Sequence, residues 1–156
     1  MEGTSYMKIN LTQGELAEID DADFERVSKC KWHYTNTGYA ATRKNGKIIL
    51  MHRFLLGAKK GIEVDHKNGK KLDNRSSNLR FCTRSQNMMN VGLRKNNISG
   101  YRGVSYEKNL GRWRMRLGLY GKTVISKTFK TKEEAALAYV SAAVELHGEF
   151  FNGNPV

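Results

Sequence analysis

Asp65 and His66 stand side by side, Asn78 follows twelve residues after His66, Asn87 nine residues later, and Asn90 one helical turn beyond that. All lie in one stretch, VDHKNGKKLDNRSSNLRFCTRSQNMMN, from Val64 to Asn90. An aspartate carboxylate and an asparagine amide oxygen are hard ligands, suited to a divalent ion that keeps several waters and takes further oxygens from a phosphate. A neighbouring imidazole with a pKa near neutrality can take a proton from water. Lys67, Lys70, Lys71 and Arg75 in the intervening loop add charge to hold a phosphate backbone. Together these are the parts for metal-assisted phosphodiester hydrolysis. Taken singly they mean little, since Asp and Asn are common turn residues for local hydrogen-bonding reasons.

Such chemistry needs elements to position it. Asn68-Gly69 is a turn signal, Leu79 to Cys82 is a short apolar run, and Thr83 followed by Gln86 has the capping-box spacing of a helix start. The stretch predicts strand end, loop, short strand and helix, with Asn87 facing Asp65 and His66 from the helix. In this order and spacing, with NGKKLDNRSSNLR and TRSQN between, it resembles the HNH nuclease motif, in particular that of phage and intron-associated homing endonucleases. The resemblance covers His52 to Asn90. It implies a ββα-metal core in which His66 is the general base, Asp65 and Asn87 are metal ligands, and Asn78 is the central asparagine that braces the loop and helps orient His66. The implied cofactor is Mg²⁺ or Mn²⁺. Cys30 and Cys82 lie far apart with no C-x-x-C pair, which argues against a structural zinc and against a disulfide framework.

Upstream, residues 7–56 read as a lead-in to this motif. DDADFERVS from Asp20 to Ser28 predicts a short helix with an acidic first turn, and Trp32, Tyr34 and Tyr39 to Ala41 predict strand. Asn45-Gly46 is a two-residue hairpin signal. KIILMHRFLL from Lys47 to Leu56 is a buried strand or the start of a helix, which periodicity alone does not decide. Within it His52 reads as a partly buried, satisfied histidine in preference to an active-site group. Downstream, Val91 to Ser99 lacks apolar periodicity and predicts a linker.

Net charge is +12, which points to a polyanionic partner. The excess is uneven: residues 1–64 carry a net +2, residues 65–100 a net +6, and residues 101–156 a net +4. No apolar run is long enough to span a membrane, and no secretory signal is visible at the N-terminus. A cytoplasmic protein with free thiols is expected, in a bacterial host cell and encoded by a phage or mobile element, with no membrane partner.

The C-terminal module begins at Gly100. RWRMRL, Arg112 to Leu117, alternates strictly, with Trp113, Met115 and Leu117 on one face and Arg112, Arg114 and Arg116 on the other. Period two is the mark of a half-buried strand. Tyr101 to Tyr106 and Thr123 to Phe129 are further strands, and Thr131 with Glu134 predicts a capped helix running to about His147. Its wide face of small apolar residues suits close packing on a three-stranded sheet. The arginine face then suits a nucleic-acid groove. YRGV, GRW and KTFKTKEEAALAYVSAAVELHG with a final asparagine resemble the plant apetala-two, or ethylene-response-factor, DNA-binding domain over about Gly100 to Asn154. That resemblance implies a sheet entering the major groove, with Arg102 and Arg112 at contact positions. Ser105, Glu107 and Ile125 depart from the plant pattern, so the plant target sequence is not expected to carry over.

The expected fold is α+β: an N-terminal β-hairpin region leading into a ββα-metal core, then a small three-stranded antiparallel sheet packed on one helix. The expected division is 1–90, a linker at 91–99, and 100–156. The expected partner is double-stranded DNA, bound by a monomer or weak dimer through Lys70, Lys71, Arg75, Arg84, Arg102, Arg112, Arg114, Arg116, Lys122 and Lys127. The activity expected is site-selective, homing-type DNA cleavage. The rival is a non-catalytic DNA-binding regulator with a nuclease-derived fold.

Overall fold

The computed structural model describes residues 5–93 and 95–151. The chain divides into two compact units, Met1–Thr83 and Arg84–Val156. Both combine small antiparallel sheets with short helices, a mixed α and β architecture.

In the first unit, β1 (Tyr6–Asn10) and β2 (Leu16–Asp20) form an antiparallel hairpin with Tyr6 opposite Asp20. Ala17 and Ile19 alternate inward from β2 and are fully buried. The helix expected over Asp20 to Ser28 is shorter. Asp20 ends β2, Asp21–Asp23 is a 3₁₀ turn, and α1 covers only Phe24–Ser28. The 3₁₀ turn runs directly into α1, so the helical segment starts one residue later than expected and its first turn is acidic, with Asp21 and Asp23 in the 3₁₀ turn and Glu25 in the first turn of α1.

A three-stranded sheet follows in the order β3 (His33–Tyr34), β4 (Ala40–Lys44), β5 (Lys47–Leu50). Asn45 and Gly46 join β4 to β5 with φ of 50° and 73°, the two left-handed residues that a type I′ turn requires. The ambiguous run Lys47 to Leu56 is both things in turn: β5, then α2 (Met51–Leu55), which buries Met51, His52 and Leu55. Periodicity cannot separate two elements of four and five residues. Next come β6 (Glu63–His66) and β7 (Leu79–Cys82), an antiparallel pair with Asp65 opposite Arg80 and His66 opposite Leu79. Ala17, Ile19, Val27, Trp32, Ala40, Met51, Leu55, Val64 and Leu79 close one core beneath these elements.

The second unit opens with α3 (Arg84–Asn90), which starts directly after Thr83. Residues 91–93 and 95–99 form neither helix nor strand. Then β8 (Val104–Glu107), β9 (Arg112–Leu119) and β10 (Lys122–Phe129) form an antiparallel sheet in the order β10-β9-β8. Over it lies α4 (Lys132–His147), whose capping box is formed as expected. The Glu134 amide donates to Thr131 Oγ1 at 3.2 Å, and the Thr131 amide donates to Glu134 Oε2 at 3.3 Å. Met115 and Leu117 of β9 meet Ala135, Ala136, Tyr139 and Ala143 of α4 in a second core. Gly103 makes this fit possible. At φ +69°, a Cβ there would sit within 2.6 Å of the Arg116 carbonyl oxygen and inside the Tyr139 ring.

Candidate active site

The loop between β6 and β7 carries the chemistry, and its backbone is held from several sides. The Gly69 amide donates to the His66 carbonyl at 2.8 Å, closing the Asn68-Gly69 turn. Asn78 spans the loop: its Nδ2 donates to the Asp73 carbonyl at 2.7 Å, and its Oδ1 accepts from the Asn68 amide at 3.0 Å. A brace comes from β2, where the Glu18 amide donates to the Leu72 carbonyl and the Glu18 carbonyl accepts from the Asn74 amide. Asp20 Oδ2 accepts from the Ser76 amide at 2.8 Å. The N-terminal hairpin therefore clamps the loop, a task that its own sequence does not announce.

Asp65 and His66 are both buried, at 6% and 4% exposure. Arg80 donates through Nε and Nη2 to Asp65 Oδ2, at 2.9 and 2.7 Å, directly across the β6–β7 register. His66 Nε2 lies 3.2 Å from Asn74 Oδ1. The direction of that bond follows from the far side of the amide. Asn74 Nδ2 donates to the Leu72 carbonyl at 3.0 Å, and a carbonyl can only accept. The oxygen of the amide thus faces His66, and Nε2 carries the proton. In the neutral ring that leaves Nδ1 as the basic nitrogen. Burial pushes the His66 imidazole below the ordinary histidine value, against the pull of the Asn74 bond and the Asp65 carboxylate. Its resting form at neutral pH is uncharged.

Two rings pack on this imidazole. His52 lies edge-on, with centroids 4.9 Å apart, and Tyr39 lies 6.0 Å away. Burial, then the His66 ring and the Arg53 guanidinium, press the His52 pKa down to about 3. His52 is thus buried, as expected, but it is not fully satisfied: among the described residues its Nδ1 has no hydrogen-bond partner.

The expected cations divide. Lys70, Arg84, Arg112, Arg116 and Lys122 are exposed. Lys71 donates to the Thr37 carbonyl and stacks on Tyr39. Arg75 is half-buried and paired, through Nε and Nη2 with Asp73 at 2.7 and 2.8 Å and also facing Glu18. Arg102 donates to the carbonyls of Met88 and Met89, both at 2.7 Å, capping the end of α3. Lys127 pairs across the sheet with Met115, which puts it on the α4 side, opposite the arginine row. Arg112, Arg114 and Arg116 do share the other face. They are not without acid there, because Glu107 of β8 lies 3.3 Å from Arg114 and 3.5 Å from Arg116.

Asn87 lies on α3, in the second unit. Among the described residues, no group of three or more His, Cys, Asp or Glu side chains is placed to enclose a metal ion. The donors present suit instead a hard ion held by a carboxylate with water and phosphate oxygens around it; Arg80 bonds Oδ2 of Asp65. Sequence reasoning misses Asn74 and Arg80. Only the strand register, Asp65 to Arg80, exposes the second, and nothing local marks the first.

Residues 56–89 match the family model described as HNH endonuclease. The chain is 36% identical over 150 residues to a protein named as an uncharacterized HNH endonuclease in Acanthamoeba polyphaga mimivirus, covering 92% of this chain and 77% of that protein. It is 33% identical over 91 residues to protein 3.8 of Escherichia phage T7, covering 58% and 74%. A 53-residue segment is 45% identical to an AP2-like ethylene-responsive transcription factor of Arabidopsis thaliana, covering 33% of this chain and 15% of that protein. No solved structure matches. No helix among the described residues is long and apolar enough to cross a membrane. With the family model falling on the buried Asp65–His66 pair and its loop, and a relative aligned along nearly the whole chain, the protein belongs to the HNH endonucleases and is a nuclease of DNA.

Proposed function

We propose that this nuclease is a metal-dependent, site-selective endonuclease of the homing type, with His66 as general base and Asp65 and Asn87 as ligands of Mg²⁺ or Mn²⁺ in a ββα-metal core. The observation that carries the reading is the neutral, buried imidazole of His66, bonded through Nε2 to Asn74. Its other ring nitrogen has the lone pair that a water proton needs. The bound ion supplies charge stabilisation at the scissile phosphate and the leaving oxygen. Asp65 contributes an anionic oxygen, Asn78 keeps the loop in one conformation, and Lys70 and Arg84 grip phosphates. In the C-terminal module, Arg112, Arg114 and Arg116 bind DNA from the open face of the sheet and select the site, with the exposed Lys122 at the β9–β10 turn adding charge at its end.

The test is incubation of supercoiled plasmid with the protein, with and without Mg²⁺, beside His66→Ala. Metal-dependent nicking or cutting is expected from the parent. In the variant kcat should fall by about 10²–10⁴ with DNA affinity nearly unchanged. Binding without cleavage under every metal tried would instead point to a non-catalytic DNA-binding regulator.

A further inference from the structure

The near-neutral charge of residues 1–64 conceals a separation. Between Ile9 and Glu25 there are six Asp or Glu and no Lys or Arg; between Arg26 and Ile62 there are nine Lys or Arg and no Asp or Glu. Folding neutralises only some of these cations. Arg26 pairs with Asp23 and Lys29 with Glu25, and Arg53 is used up on the carbonyls of Ala58, Lys59 and Ile62. Lys31, Arg43, Lys44 and Lys47 are exposed, and among the described residues no carboxylate pairs with any of them. Lys44 and Lys47 lie directly opposite each other across the β4–β5 ladder. Like charges in that position destabilise a hairpin, and an anion seated over them removes the penalty. Beside them opens a groove of about 740 Å³ lined by Lys31, His33, Arg43, Lys44 and Phe54.

We infer that the β4–β5 turn and Lys31 form a second phosphate-backbone surface, which holds the substrate duplex a few base pairs from the scissile bond. β4 supplies the spacing. Tyr39, just ahead of that strand, packs on His66, while Lys44 ends the strand. Five residues of extended chain span about 16 Å, and a DNA strand carries one phosphate per about 3.4 Å of helix axis. The surface therefore meets the backbone within about five base pairs of the catalytic imidazole. The inference rests on DNA being the substrate and not on the metal or the homing type.

The test is DNA affinity as a function of salt for the full chain and for Lys31→Gln/Arg43→Gln/Lys44→Gln/Lys47→Gln, measured by anisotropy on a labelled duplex. Removing one lysine–phosphate pairing flattens the slope of log K against log salt by about 0.9, so a change of about 2 to 4 is expected. Cleavage at saturating DNA should be unchanged. Arginine at the three lysine positions (Lys31→Arg/Lys44→Arg/Lys47→Arg) should keep the parent slope, and Lys59→Gln/Lys60→Gln should leave it nearly intact. A slope equal to the parent's in the fourfold variant overturns the surface. An equal flattening in the Lys59/Lys60 control overturns its location, leaving only an effect of net charge. Failure of the parent to cleave would count against the nuclease reading and leave the salt slopes interpretable.

Discussion

At the residue scale, the side chain that decides the chemistry of His66 is a neutral amide eight positions away. Asn74 is held at both ends, its backbone amide on Glu18 and its Nδ2 on Leu72, so its oxygen is fixed before any substrate arrives. An orienting partner of this kind selects the tautomer and saves the ring from reorganising during proton transfer. Asn74→Ala should therefore lower kcat by about tenfold to hundredfold with Kd for DNA unchanged. A kcat close to the parent's would mean that ring packing alone holds His66. His52 makes a separate prediction about acid. Its folded pKa of about 3 lies below the ordinary 6.5, so the unfolded chain binds the proton first as pH falls. The stabilising contribution is complete above about pH 6.5 and drains away toward about pH 3, at about 1.4 kcal/mol per pH unit. Urea unfolding at pH 6.5 and pH 5 should differ by about 2 kcal/mol from this group, with His66 adding in the same direction. His52→Phe should flatten that difference, and an unchanged difference would place the acid lability elsewhere.

At the scale of elements, Gly103 shows how tightly the C-terminal sheet and helix are matched. Its left-handed φ and the closeness of Tyr139 and the Arg116 carbonyl leave no room for a methyl group. Gly103→Ala should destabilise the protein by more than about 2 kcal/mol, combining backbone strain with overpacking. Urea unfolding followed by tryptophan fluorescence would report it through Trp113, and a small change would mean that α4 can shift away from the sheet. The elements legible in the sequence are those with local signals. Asn45-Gly46 announces its turn, Thr131 and Glu134 their cap, and the Arg112 to Leu117 alternation its strand. The clamp of β2 on the active loop is not legible, because backbone hydrogen bonds from Glu18 to Leu72 and Asn74 leave no mark on side-chain pattern. Arg75 and Arg102 look like free cations in the sequence for a similar reason. A pairing with Asp73 looks like turn composition, and a bond to the carbonyls of Met88 and Met89 has no residue type to betray it.

At the scale of the whole molecule, affinity for DNA depends less on the number of cations than on how many the fold leaves unpaired. Arg75 and Arg102 already bond internal partners, so each adds more to net charge than to the grip on phosphate. The arginine row of β9 is an intermediate case. Glu107 stands within 3.5 Å of both Arg114 and Arg116, and DNA must displace that carboxylate or tolerate it beside its own phosphates. An exposed or half-exposed ion pair of this kind contributes little to stability, about 0–1 kcal/mol, so removing the acid costs the fold almost nothing. It does release two guanidiniums and remove one repelling charge. Glu107→Gln should accordingly tighten DNA binding severalfold at low salt and steepen the dependence of log K on log salt by about one unit, while cleavage at saturating DNA stays constant. Arg114→Gln/Arg116→Gln should move both quantities the other way. If Glu107→Gln weakened binding instead, the carboxylate would be orienting the two arginines toward particular bases, a role in site selection that outweighs its charge.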